Sequence, residues 1–199
     1  MKYIQRPALL VACFLLLAGF ASAQSVDAFL GLNALLSGQG LVGNGAPKLG
    51  SGAFMNAGGD LMILPHNLGI GAEVAWRASQ QNYGGLGARP ILYDFNLVWQ
   101  PVAPGSFLRP DFAIGFGGAD MRFYTGSYTC TLLSGCTDYV SSKHFLLHAG
   151  VGLKMYITNH IFFRPAVDYY NIRHDYEYRV PDAWQVGVSI GYTLGSSSS

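Results

Sequence analysis

Ser142 and His144 stand two residues apart, and a serine beside a histidine is the raw material of acyl transfer, the imidazole taking the hydroxyl proton as the oxygen attacks. On an extended strand that spacing puts both on one face. No acid can be assigned as a third partner, so the pair reads as a polar strand end beside a loop. His144 and His148 would share a helical face and suggest a metal. On a strand, residues four apart are separated by ~13 Å, beyond the reach of one ion. Gly115-x-Gly117 and Gly150-x-Gly152 lack the later glycine and the helix of a dinucleotide fingerprint and read as wall glycines. Catalytic, metal-ligating and cofactor-binding residues are therefore expected to be absent, and no cofactor is expected.

The elements that carry these residues follow from composition. Of 199 residues, 50% are hydrophobic and 12% charged, with a mean hydropathy of +0.26, too apolar for an ordinary soluble domain. Gly 26, Tyr 12 and Phe 12 accompany only two glutamates, Glu73 and Glu177, a balance that favours strands and turns over helices. Lys+Arg 12 against Asp+Glu 11, with no basic cluster, gives no footprint for nucleic acid.

Lys2 and Arg6 precede an uncharged stretch over residues 8–20, and Ala21-Ser22-Ala23 supplies a small-x-small site. This is the form of a secretory signal peptide over residues 1–23, cleaved between Ala23 and Gln24. The apolar stretch falls short of the ~20 residues a membrane-spanning helix needs. Export leaves Cys130 and Cys136, separated by five residues among Thr, Ser and Gly, to meet an oxidising compartment. A small disulfide-closed loop is the expectation there, ahead of a metal pair.

Past the signal the apolar residues recur with period two. Leu68, Ile70, Ala72, Val74 and Trp76 share one face while Glu73 and Arg77 share the other. Ile91, Tyr93, Phe95, Leu97 and Trp99 oppose Leu92, Asp94, Asn96 and Val98, and Phe112, Ile114 and Phe116 oppose Arg109 and Asp111. Phe145, Leu147, Val151 and Leu153 oppose His148 and Lys154. Phe163, Pro165, Val167 and Tyr169 oppose Arg164 and Asp168, and Val186, Val188, Ile190 and Tyr192 close the series. Two less regular segments, 26–35 and 52–64, bring the count to eight.

Short connections at 65–67, 102–106 and 158–160 alternate with longer polar ones at 37–51, 79–88, 124–142 and 171–182. An even strand number with that alternation predicts an all-β fold, an eight-stranded antiparallel up-and-down transmembrane β-barrel with short periplasmic turns and long extracellular loops. The domain plan is a signal over 1–23, a barrel over 24–195 and a disordered Ser tail over 196–199. Glu73, Arg77, Asp94, Arg109, Asp111, Lys154, Arg164 and Asp168 then face the lumen as a charge network, paired across a narrow interior. A soluble lipocalin-like binder would reverse the faces, with charges outward and an apolar interior.

Leu68-Gly69-Ile70-Gly71-Ala72-Glu73-Val74, Leu108-Arg109-Pro110-Asp111-Phe112, Gly150-Val151-Gly152-Leu153-Lys154, Phe163-Arg164-Pro165-Ala166-Val167-Asp168 and Val188-Ser189-Ile190-Gly191-Tyr192 resemble the small bacterial outer-membrane β-barrels related to the OmpA transmembrane domain. The resemblance implies a monomer of the bacterial outer membrane, porin-family in the broad sense, delivered by the barrel assembly machinery. Its surroundings would be outer-membrane lipid and lipopolysaccharide, and any ligand would meet loops 37–51, 79–88, 124–142 and 171–182. Non-enzymatic structural or surface-interaction work is the expectation. A lipid-modifying enzyme of the lipid A deacylase or acyltransferase type, using Ser142 and His144, is the alternative. Intact-mass measurement of the exported protein is expected to give a chain starting at Gln24; a retained residue 1–23 segment would refute the signal assignment.

Overall fold

Strict alternation of apolar and polar residues, broken by Gly, Asn and Pro, leaves little but strands and turns. The computed structural model describes residues 25–37, 49, 52–131, 135–174 and 182–195. Among them run β1 (Ser25–Ser37), β2 (Ala53–Leu64), β3 (Leu68–Arg77), β4 (Gln81–Tyr83), β5 (Leu86–Trp99), β6 (Leu108–Thr131), β7 (Gly135–Tyr156), β8 (Ile161–Arg173) and β9 (Asp182–Leu194), with one 3-10 turn at Pro65–Asn67. Neighbouring strands follow the order β3-β2-β1-β9-β8-β7-β6-β5-β4, and β3 also pairs with β5, which closes the sheet. β4 extends β3's place in the wall along the same partner, β5. The result is a closed eight-stranded antiparallel barrel.

Turn residues set the register. His66 and Asn67 adopt φ of 63° and 56° in the β2–β3 turn, a left-handed region that Asn and His enter more readily than most side chains. Gly84 and Gly85, at φ 58° and 92°, form the two-residue connection between β4 and β5 that only positive φ allows. Two segments expected as loops are instead partly strand. Within 79–88, Gln81 to Tyr83 pair with Leu86 to Ala88. Within 124–142, β6 and β7 continue as a ribbon beyond the barrel, shift register between Tyr124 and Thr129, and then pair Thr129 with Thr137 and Cys130 with Cys136. Tyr, Thr and Val favour extended backbone, and across a hairpin polar backbone groups find partners that a free loop would lack. Residues 38–48 and 175–181, the Ala23–Gln24 junction and the tail 196–199 lie outside the described residues.

The wall separates its two faces sharply. On β5, Phe95 is 61% exposed while its neighbour Asp94 is 2% exposed. Outward rows of Leu30, Leu32, Phe95, Ile114, Phe116, Val188 and Ile190 stay exposed around the barrel. The interior is zoned along its axis. At the long-connection end Leu35, Phe54, Leu92, Met121, Leu146 and Ile172 pack with Tyr170 into an apolar cluster. Towards the short-turn end the lining becomes polar, with Phe29, Tyr156 and Phe162 set among the charges. The outer face is the one that would contact lipid, where an arginine at mid-height costs about 2–4 kcal/mol. Ile114→Arg, on the exposed side of β6, is therefore expected to lower unfolding stability by about that amount in vesicles. A change below about 0.5 kcal/mol, usual for a water-facing site, would mean that this face is not in lipid.

Candidate functional site

The inward positions of eight strands, all but the short β4, converge on two linked clusters. In the lower one, Lys154 Nζ on β7 donates to Asp27 Oδ2 on β1 at 2.5 Å and to Asp60 Oδ2 on β2 at 2.8 Å. Lys154 has no exposed surface, so both carboxylates are needed to offset its lost hydration. Thr193 Oγ1 on β9 donates to Asp27 Oδ1 at 2.6 Å and lies 3.0 Å from the Tyr156 hydroxyl. Phe162 offers its ring face to the ammonium at 5.2 Å.

The upper cluster is centred on Arg164 of β8. Its Nε and Nη2 donate to Asp111 Oδ2 on β6 at 2.9 and 2.8 Å, Nη1 lies 3.9 Å from Glu73 Oε2 on β3, and Phe29 stacks beneath the guanidinium at 4.9 Å. Gly152, between Arg164 and Asp111, makes the approach feasible: a Cβ there would stand 2.6 Å from both Arg164 Nε and Asp111 Oδ1. Asn56 Nδ2 donates to Glu73 Oε1 at 2.7 Å, and Asn96 Nδ2 donates to Asp94 Oδ1 at 2.5 Å. His148 Nδ1 donates to Asn96 Oδ1 at 2.8 Å, its Nε2 lies 3.3 Å from Asp168 Oδ1, and its ring stacks on Tyr170 at 4.9 Å. The stack joins the polar network to the apolar cluster above it.

All eight residues expected to face the lumen are buried, but they do not form one network. Glu73, Asp94, Asp111, Lys154, Arg164 and Asp168 belong to the two clusters. Arg77, higher on β3, donates to Gln81 instead. Arg109, nearer the short turns, covers the Tyr156 ring at 4.4 Å and reaches its hydroxyl at 3.4 Å. It lines a polar cavity of about 190 Å³ with Ser106, Thr158 and Asn159. Sequence reasoning missed Asp27 and Asp60, the two acids that hold Lys154, and did not assign His148 a partner. Asp27 and Asn33 do alternate with Ala28, Leu30 and Leu32, but Phe29 on the same inward row obscured the pattern.

Ser142 Oγ and His144 Nε2 are 3.0 Å apart. Both point inward on β7, opposite Met121 and Ala119 of β6, two residues that are themselves buried. The arrangement turns the pair from the lipid side, where an acyl chain would lie. Among the described residues no group of three or more His, Cys, Asp and Glu could hold a metal ion.

The sequence matches the family model for the outer membrane protein β-barrel domain over residues 10–194. No curated protein sequence matches the chain. Solved structures share its fold at low identity. The N-terminal β-barrel domain of Pseudomonas aeruginosa OprF is 13% identical, with a TM-score of 0.54 over 86% of this chain and 98% of that one. Neisserial surface protein A is 11% identical, with a TM-score of 0.56 over 86% and 96%. P. aeruginosa OprG is 14% identical, with a TM-score of 0.55 over 88% and 98%.

Lys154 is the sharpest test of the network. Lys154→Met leaves Asp27 and Asp60 facing each other without a cation and is expected to cost about 3–5 kcal/mol in equilibrium unfolding from lipid vesicles. The triple variant Lys154→Met, Asp27→Asn, Asp60→Asn is expected to recover most of that loss. An equal loss in both would assign the effect to packing instead of charge.

Proposed function

Since the chain belongs to the outer membrane protein β-barrel domain family, an outer-membrane location follows, and we propose that the protein is a non-enzymatic monomeric barrel with a closed lumen that meets partners through its long-connection end. The observation that carries this reading is the filled interior. Beside Glu73, Asp111, His148 and Arg164 there remains a cavity of about 10 Å³, at the lower limit for one water molecule, and above it the apolar cluster crosses the barrel. Apolar depressions of about 500 and 520 Å³ lie on the outer wall, along Leu30, Ile190 and Tyr192 and along Ile114, Val151 and Trp184. Those positions suit acyl chains of the surrounding lipid and do not suit a lipocalin's enclosed ligand.

The projecting β6–β7 ribbon is the natural contact element. Cys130 and Cys136 are register partners in it, and residues directly opposite in an antiparallel pair lie ~4.5–5.5 Å apart at Cα, within the span of a disulfide. A bridge there would hold the ribbon tip and reduce the entropy lost on binding. The signal peptide over residues 1–23, delivery by the barrel assembly machinery and lipopolysaccharide as surrounding lipid complete the proposal.

Purified protein in planar bilayers is expected to show no steady single-channel current, since eight strands enclose only enough space for side chains. Sustained conductance would overturn the closed-lumen reading. Cys130→Ser with Cys136→Ser is expected to leave the folded-barrel band on unheated gels in place while the ribbon becomes sensitive to surface protease. A change in lipid A acyl composition that depends on Ser142 and His144 would replace this reading with the enzymatic one.

A further inference from the structure

Beyond the apolar belt, the outward rows of four neighbouring strands turn cationic. Arg89 precedes Ile91 on β5, Arg122 follows Asp120 on β6, Lys143 precedes Phe145 on β7, and Arg173 ends β8. Register brings them together on one face. Arg89 lies opposite Arg122, Asp120 lies opposite Lys143, and Phe145, 51% exposed on the outer wall, lies opposite Arg173.

The charges are poorly neutralised by the protein itself. Arg122 Nε donates to Asp120 Oδ2 at 3.0 Å and its guanidinium covers the Tyr139 ring at 4.8 Å; Tyr124 packs beside that ring at 5.9 Å. Among the described residues this is the only ion pair in the sector. Arg89 Nε is buried without a hydrogen-bond partner, as is Asp120 Oδ1. Two arginines directly opposite each other repel, and an anion between them reverses the sign. The other half of the outer wall, β9, β1, β2 and β3, carries a single described charge, Asp182, which accepts hydrogen bonds from Tyr169 and Asn171.

We propose that the β5–β8 sector binds the phosphate groups of a diphosphorylated glycolipid of the outer leaflet, of the lipid A type, with its acyl chains against the wall below. This rests on the outer-membrane reading with the long connections facing outward. Three features favour such a headgroup. Cations at the end of the apolar belt sit at the depth of headgroups, where each is attracted to anionic lipid. Four adjacent strands at ~4.8 Å spacing span roughly 14 Å, too wide for one phosphate. The apolar depression along Phe112, Ile114, Val151 and Val167 lies on the outer wall of β6, β7 and β8, below the cations. An acyl chain seated there hangs from a phosphate held above.

The test uses the full-length mature protein in phosphatidylcholine vesicles containing diphosphoryl lipid A, monophosphoryl lipid A or phosphatidylglycerol, with lipid retained on extraction measured by native mass spectrometry. Expected are retention of diphosphoryl lipid A above the other lipids, and losses of about fivefold per removed cation, roughly a hundredfold in Arg89→Gln, Arg122→Gln, Lys143→Gln. Folding of the triple variant is checked by the unheated gel band. Lys143→Gln alone, at an exposed position, is expected to lose about fivefold. Unchanged retention in both variants overturns the proposal, and equal retention of phosphatidylglycerol overturns the choice of a glycolipid phosphate. Failure of the underlying reading looks different: the protein would not insert, or protease would cut the β6–β7 ribbon from the periplasmic side.

Discussion

A sheet closed on itself inside lipid gives each residue one of two destinations, and nearly everything else in this protein follows from that restriction. Closure pairs the backbone groups that hydrocarbon could not solvate, and the pleat sends alternate side chains to lipid or to a narrow interior. A charged residue on an inward position has no bulk water to turn to. It must be met by a counter-charge from another strand, as Lys154 of β7 is met by Asp27 of β1 and Asp60 of β2. These contacts join residues 94 and 127 positions apart in the chain, so they exist only once the wall has closed.

The interior also has a direction. Tyr170 stacks on His148 and belongs to the apolar cluster, so this pair of rings joins the charged half to the apolar half. Below it, Arg164 occupies the space that Gly152 leaves empty. A small residue on one strand and a long one on the next fill a narrow interior more evenly than two of medium size would, which is the same economy that governs any close-packed core.

Solved barrels at 11–14% identity share this fold because alternation and closure are undemanding about which apolar or polar residue is used. The same tolerance separates fold from function. Beyond the fold, this chain carries a particular placement of charge, inside as two linked clusters and outside, among the described residues, as cations on β5–β8. Neither belongs to the architecture as such, and both can change without disturbing the ladder of backbone hydrogen bonds.

The sequence by itself determined the fold class, the strand number, the face each regular segment presents and the inward position of Glu73, Asp94, Asp111, Lys154, Arg164 and Asp168, because period-two alternation is a local property. It also marked the short turns, whose Pro, Asn and Gly residues act within a few positions. Partner choice was decided only by the tertiary structure. Arg77 and Arg109 alternate as cleanly as Arg164, yet they lie at other heights in the barrel and take Gln81 and Tyr156 instead of the central acids. Asp27 and Asp60 gained their meaning from strands far along the chain. The extension of β6 to Thr131 and of β7 back to Gly135 was also hidden, since Tyr, Thr, Ser and Gly are compatible with loop and strand alike. The choice there was made by pairing across the hairpin, and pairing is a relation between segments that no single segment contains.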